Sequence, residues 1–572
     1  MEQEEILRQI QSLCPECLEI IPGEIYMDPK KGEEKGWVML RKQCPKHGIF
    51  QDVIAKNVDW YKWNMNFANS VGSIENNSTK FDASCVKKGK KGCPFDCGPC
   101  SNHQSSPCIC IIDVTNRCNL MCSICFANSN HVGHIVEPTF DEIVTIMKHF
   151  RSLKPSPPPL LQLSGGEPTL HPDLPGIIRK GKELGFIEIM VNTNGIRMAK
   201  SQEYFQECID AGMDAVYLQF DGTTPETYKK VRGANIWPVK KKFIENARAC
   251  GFKGVILVPT LARGVNDHEV GAILDFAKNN KDVVSGVVFQ PVALCGRISY
   301  EDLMEMRYTT SDLTDAIKKH TNGAIGTLYP LASTAKFTRL VAWFDDEPFF
   351  SMLAHEDCGF ATFTPIENGE YTPIENYFDI VGILKWVNQV YDMVQRREIP
   401  KISSVIPVQI MQYTGKIGKV IAEFTDRMTE LAYRQAMKAY FLAGATRFIK
   451  NPLNFIKPGT TVNAFLKVVG RAGLKTAAEF MQSSNLFVAC MHFQDAFNFN
   501  LDRVSHCLVH YGVMDPDDPM RKRVLEIPFC AMNTIHREGI EKKLAHKPLD
   551  KTPDEVQKEI EEYVIQLEIS DK

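Results

Sequence analysis

Between residues 108 and about 300, short apolar runs alternate with longer stretches of mixed polarity. The runs are 108–115, 160–163, 186–191, 215–220, 254–258 and 286–289. Runs this short and this rich in β-branched residues read as strands buried on both faces. The stretches between them read as helices. Thr139 suits the N-cap of the first, with Asp141 and Glu142 in its opening turn. Six β–α units in series imply parallel pairing through right-handed crossovers, hence a partial or full α/β barrel. Such barrels carry their site at the C-terminal ends of the strands. At those ends stand Ser164-Gly165-Gly166-Glu167-Pro168, Asn192-Thr193-Asn194-Gly195, Gln219 and Asp221-Gly222. Asn-Gly and Asp-Gly are also ordinary turn formers, so position alone does not make them ligands.

Outside the barrel the pattern changes. Residues 1–60 hold a hairpin-like alternation around 36–41. Residues 61–107 are polar and read as a bridge. Within 301–572, the stretch 404–482 is dense in Ile, Leu, Met, Phe and Ala, with Lys and Arg recurring along it. An apolar helical cap with basic edges suits a long apolar substrate with an anionic head, or a membrane face. A plain helical domain with a solvated basic face fits the same composition better.

Composition narrows the function classes. A hydrophobic content of 44% with 24% charged residues is that of a soluble globular chain. A net charge of −3 gives no polyanion-binding signal, and no Lys/Arg–aromatic stripe marks a nucleic-acid surface. Glu2, Glu4 and Glu5 stand where a signal peptide would be apolar, and no apolar run is long enough to span a membrane. The expected location is therefore cytoplasmic. The 19 cysteines then argue for metal rather than disulfides, in an anaerobic setting.

Most cysteines fall in tight groups. Cys118, Cys122 and Cys125 are spaced C-x3-C-x2-C. Three sulfurs can hold four irons and leave one iron open to a small molecule. Cys14-x2-Cys17 and Cys44-x2-His47 form two knuckles of a mononuclear site. His47 favours zinc, whereas Cys85 in its place would favour iron. Cys93, Cys97 and Cys100 repeat the central spacing, and Cys108 is the preferred fourth ligand of an auxiliary 4Fe–4S cluster, with Cys85 and Cys110 as substitutes. Cys358, Cys490, Cys507 and Cys530 could close a second auxiliary cluster or be four separate buried thiols. Cys208, Cys250 and Cys295 read as core thiols.

The central triad with Phe126 behind it, together with Gly165-Gly166-Glu167-Pro168 after the second strand, resembles the radical S-adenosylmethionine (SAM) superfamily. The resemblance implies a 4Fe–4S cluster on Cys118, Cys122 and Cys125, with SAM on its open iron. It places the Ser164–Pro168 turn at the amino group of SAM, and Asn192, Asn194, Gln219 and Asp221 near its ribose and carboxylate. It also implies a 5′-deoxyadenosyl radical and an electron donor such as ferredoxin or flavodoxin. The expected fold is a radical SAM (β/α)6 partial barrel over 108–300. An N-terminal metal knuckle, an auxiliary-cluster segment and a largely helical C-terminal extension surround it.

The order of the whole chain, knuckle first, then Gly92-Cys93-Pro-Phe-Asp-Cys97-Gly-Pro-Cys100, then the central triad and a Cys-containing tail, resembles the archaeal tetraether lipid synthases. That resemblance implies three 4Fe–4S clusters, a rubredoxin-like iron and a diether lipid substrate whose terminal methyl carbons are joined. Peripheral membrane contact would follow. Radical methylation of a pterin ring is the alternative. A metal-storing or electron-carrying scaffold would account for the cysteines but not for a Gly-Gly-Glu-Pro turn at a barrel strand end.

Overall fold

Alternating apolar positions in the first 55 residues produce four antiparallel strands in chain order: β1 (Glu5–Leu13), β2 (Ile20–Asp28), β3 (Trp37–Cys44) and β4 (Gly48–Ala55). One face buries Ile25, Val38, Leu40 and Ala55 against Tyr61. Tyr61 lies on helix α1 (Val58–Met65), which Asn57 caps through the Trp60 amide. The start of the segment read as a bridge is thus a packed helix. Its Trp60 ring meets Phe360 at 5.1 Å between centroids. This computed structural model describes residues 4–32, 36–68, 92–96, 103–125, 127, 129, 133–154, 156–293, 304–345, 352–398, 430–450 and 485–570.

All six expected barrel strands are present and parallel in chain order: β5 (Ile109–Thr115), β6 (Leu160–Gly165), β7 (Glu188–Thr193), β8 (Ala215–Gln219), β9 (Val255–Val258) and β10 (Val284–Pro291). Their side chains alternate between two buried environments. Cys110, Ile112 and Val114 of β5 pack under the helices, whereas Ile109 and Ile111 face the other way, against Tyr511 and Ile527. Helix α2 (Phe140–Arg151) shows how the pattern works. Thr139 and Glu142 form a reciprocal capping box, and Ile143, Ile146, Met147 and Phe150 put one stripe on the sheet. Helices α3 (Leu174–Glu183), α4 (Ile196–Lys200), α5 (Gln202–Asp210), α6 (Pro225–Arg232), α7 (Trp237–Ala249) and α8 (Val270–Asn279) complete the units.

The C-terminal part adds strands as well as helices. In order it supplies α9 (Thr310–His320), α10 (Ala335–Asp345), β11 (Gly359–Glu367), α11 (Ile380–Gln395), α12 (Glu430–Ala445), β12 (Asn485–Met491), β13 (Val509–Met514), β14 (Val524–Pro528), α13 (Arg537–Leu544) and α14 (Pro553–Ser570). Strand β12 pairs parallel beside β10 and β13 parallel beside β5, so that among the described residues eight strands run parallel side by side along the main path of one sheet. Antiparallel β11 and β14 flank them. Both edges of the six-stranded unit are thereby paired rather than left open. Of the apolar stretch 404–482, only 430–450 falls among the described residues. There α12 packs Met437 and Phe441 against Trp386 of α11 and Leu340 of α10.

A buried ion network ties the N-terminal sheet to this body. Arg307 pairs with Asp52 at 2.5 Å and with Asp495 at 2.7 Å. Lys42 donates to the carbonyl of Ala496 at 2.6 Å. Among the described residues, no helix is long and apolar enough to cross a membrane.

Candidate active site and metal centres

The turn after β6 is shaped by backbone contact with the turn after β5. Gly165 has φ +130°, and a Cβ there would collide with the Thr115 carbonyl; one on Gly166 would collide with that of Arg117. Relieved of side chains, Gly166 N donates to Thr115 O at 2.8 Å and Glu167 N to Arg117 O at 2.7 Å. This clamps the chain immediately before Cys118. The Glu167 carboxylate is buried and accepts four bonds: Thr169 N (3.1 Å), Thr169 Oγ1 (2.6 Å), Thr193 Oγ1 (2.7 Å) and Asn194 N (2.8 Å). Burial pushes its carboxyl pKa up while these donors pull it back. Its side chain is spent on joining two strand-end loops.

The other strand-end residues converge on the same place. Asn192 Nδ2 donates to Ser164 Oγ at 3.3 Å, and Asn194 Nδ2 to Asn119 Oδ1 at 2.7 Å, inside the cysteine loop. Arg232, the last residue of α6, binds both oxygens of Asp221 at 2.7 Å. Gln219 also donates to Asp221. Cys118, Cys122 and Cys125 are electrostatic neighbours, and Arg232 faces the Cys122 thiol. Burial, then the proximity of Cys122, Glu167 and Cys125, pushes the Cys118 thiol well up. Cys118 and Cys122, held back from ionising by burial first and by neighbouring thiols second, are relieved by a cationic core beside them, so this triad fits a cluster.

One residue here escaped the sequence reading. Lys240 is fully buried and donates to Asn194 O at 2.6 Å and Gln219 Oε1 at 3.0 Å. Burial pushes its ammonium down to about 7. The signal was present: Lys240 stands at helical spacing from Ile236, Phe243, Ile244 and Ala247, all buried, so it belongs to the apolar stripe of α7.

The two N-terminal knuckles meet. Cys14, Cys17, Cys44 and His47 bring four donor atoms within 4.8 Å of one another. Cys17 Sγ and Cys44 Sγ are 4.0 Å apart, and His47 Nδ1 lies 3.5 Å from Cys14 Sγ and 3.4 Å from Cys44 Sγ. A tetrahedral zinc with ordinary bond lengths requires edges of about 3.8 Å between sulfurs and about 3.6 Å from sulfur to nitrogen. Although burial opposes it, the amides of Lys46 and His47 and the His47 ring hold the Cys44 thiol down to about 6, ready to ionise.

The remaining cysteines sort differently from expectation. Cys108, one residue before β5, neighbours Cys358; Cys507 neighbours Cys530 and Cys358. Cys358 thus has Cys108, Cys507 and Cys530, from three other segments, as electrostatic neighbours. Burial pushes Cys108 up to about 12 and Cys530 to about 11. Cys108 N donates to Leu508 O at 2.8 Å, so the 507–508 segment runs alongside it. One correction follows. Cys490 leaves the group, because strand alternation turns it with Leu486 and Val488 into the core under the helices, where its sulfur meets Thr310 Oγ1 at 3.6 Å. Cys93 is described; Cys97, Cys100, Cys85 and Cys295 lie outside the described residues.

The family model described as Radical SAM superfamily matches residues 112–277. The one described as HMPTM N-terminal zinc ribbon domain matches residues 6–56. The 7,8-dihydro-6-hydroxymethylpterin dimethyltransferase of Methanocaldococcus jannaschii is 36% identical over 537 residues, which cover 93% of this chain and 95% of that protein. The chain belongs to that dimethyltransferase's family, within the radical SAM superfamily. A GTP 3′,8-cyclase of Limosilactobacillus fermentum is 33% identical over 185 residues, 32% of this chain and 54% of its own. Streptococcus suis SuiB bound to S-adenosylmethionine aligns over 39% of this chain and 48% of its own, with 16% identity and a TM-score of 0.30, too low to bear on the reading.

The chain is therefore a radical SAM enzyme that takes a 4Fe–4S cluster and SAM, is served by an electron donor, and has a further metal site in its ribbon. The tetraether lipid reading is corrected: the near full-length relative is named for a pterin, not a diether lipid. The physical reason is that the order of cysteine motifs encodes cluster binding and reduction, which enzymes with unlike substrates share. The apolar composition of 404–482 could not decide the substrate by itself.

Proposed function

We propose that this enzyme methylates a reduced 6-hydroxymethylpterin. The observation that carries the reading is the near full-length identity with a pterin dimethyltransferase, ribbon included. Cys118, Cys122 and Cys125 hold the SAM cluster. The Ser164–Glu167 turn, Asn192, Asn194, Gln219 and Asp221 form the SAM pocket. When bound and reduced, cluster and SAM supply a carbon-centred radical that takes hydrogen from an unactivated C–H bond.

The chain's own residues do the positioning. Gly165 and Gly166 bring two strand-end turns into backbone contact, and Glu167 locks the turn after β6 to the one after β7. Arg232 joins α6 to Asp221 and faces the cysteine loop. These are the fixed supports that precise placement of a reacting carbon demands. Cys14, Cys17, Cys44 and His47 hold zinc. Cys108, Cys358, Cys507 and Cys530 hold an auxiliary cluster, and Cys93, Cys97 and Cys100 serve another. Strand β5 separates Cys108 from the Cys118 loop, so roughly 23 Å of extended chain lies between two of the centres.

The test is SAM cleavage by anaerobically reconstituted, reduced enzyme. Addition of 7,8-dihydro-6-hydroxymethylpterin should raise 5′-deoxyadenosine formation severalfold over the substrate-free rate. An unchanged rate across a saturating range of pterin would count against the reading.

A further inference from the structure

Asp113 lies on the face of β5 turned away from the helices, and Arg537 reaches it from α13. Arg537 Nη1 donates to Asp113 Oδ2 at 2.7 Å and to Glu541 Oε1 at 3.0 Å. Arg537 and Glu541 are buried, and the Tyr511 ring lies 5.2 Å from the guanidinium carbon. The far atoms of the pair are the informative ones. Asp113 Oδ1 and Arg537 Nη2 are buried and meet no hydrogen-bond partner. Buried polar atoms are nearly always satisfied, so an adjacent orphan acceptor and orphan donor mark a place where something is received. The two residues line a narrow cleft whose walls also include Asn116, Gly165 and Gly166. It therefore opens beside the turn that the SAM pocket uses.

The charge decides the kind of ligand. Two carboxylates, Asp113 and Glu541, share one guanidinium, so the cleft does not attract an anion such as a phosphate. It suits a neutral group with an N–H donor beside a carbonyl acceptor. We propose that Asp113 and Arg537 recognise the 2-amino-4-oxo edge of a pterin, a reading that rests on the function proposed above. Asp113 Oδ1 accepts from the exocyclic 2-amino N–H, and Arg537 Nη2 donates to the ring carbonyl. A flat ring entering the cleft edge-on satisfies both orphans at once. Sites built on such buried polar pairs reject analogues that leave the pair unmet.

The test is equilibrium binding by full-length reconstituted protein, followed by ligand fluorescence. The probes are 6-hydroxymethylpterin and 6-hydroxymethyllumazine, in which an oxo group replaces the 2-amino donor. The wild-type protein should bind the pterin about tenfold or more tightly than the lumazine. Asp113→Asn should abolish that preference, and Glu541→Gln should preserve it. Equal binding of both rings by the wild-type protein would overturn the assignment without any variant. Unchanged ring preference in a folded Asp113→Asn would overturn it too, while leaving the pterin reading intact. Failure of the wild-type protein to bind either ring would overturn both.

Discussion

Arg232 closes on Asp221 with two parallel bonds of 2.7 Å, both side chains buried, while the same guanidinium faces the Cys122 thiol. A helix end, a strand end and the cysteine loop are thereby held by one side chain. Lysine keeps the charge but cannot reproduce the fork. Arg232→Lys should weaken SAM binding about tenfold, measured by equilibrium dialysis. Arg232→Ala strands a buried carboxylate and should cost about 3–5 kcal/mol of stability, read from denaturant unfolding.

Lys240 predicts a pH dependence. Its ammonium is pushed down to about 7 by burial, from the ordinary lysine value of 10.5. Between those values the unfolded chain binds a proton that the folded chain does not, so this group makes stability rise with pH across the window. The gain approaches about 1.4 kcal/mol per pH unit for one fully titrating group. The stability difference between wild type and Lys240→Met should therefore shift in favour of the wild type from pH 7 to pH 10, and stay flat below pH 6.

The cysteine grouping makes a sharp contrast between two residues. Cys358→Ser should remove one cluster's worth of iron, measured by metal analysis after reconstitution, and leave the SAM-dependent cluster signal in electron paramagnetic resonance. Cys490→Ala should leave iron content unchanged. The opposite pattern would restore Cys490 to a cluster.

In the ribbon, His47→Ala should lose the zinc while iron is retained. A metal that closes a four-donor site is part of the folding energy of its domain. Amide hydrogen exchange in β1–β4 should consequently speed by at least about tenfold, while β6–β9 stay protected.

The barrel was legible because six buried strands repeat one pattern and all but the fifth, which runs into Val258-Pro259, end in polar or glycine residues. The central triad and the Gly165-Gly166 turn were legible because their chemistry is local in sequence. What escaped depends on long-range folding. No spacing announces that Cys358 neighbours Cys108, Cys507 and Cys530, since four separate segments must first be brought together. The strands β12 and β13 escape a pattern that is complete after β10; they are read only once its open edges are seen to need partners. Lys240 was hidden inside a Lys-Lys-Lys run that looks solvated until its helical phase is followed. The substrate was least legible of all, because the cluster motifs describe how the radical is made and not what receives it.

The central claim is tested most directly by the mass of the pterin after turnover. Reduced enzyme with SAM, 7,8-dihydro-6-hydroxymethylpterin and a one-carbon donor, either a second molecule of SAM or a reduced one-carbon carrier, should yield a pterin product carrying added methyl groups, with none formed by Cys122→Ala. Consumption of SAM with the pterin recovered at its original mass would contradict the claim.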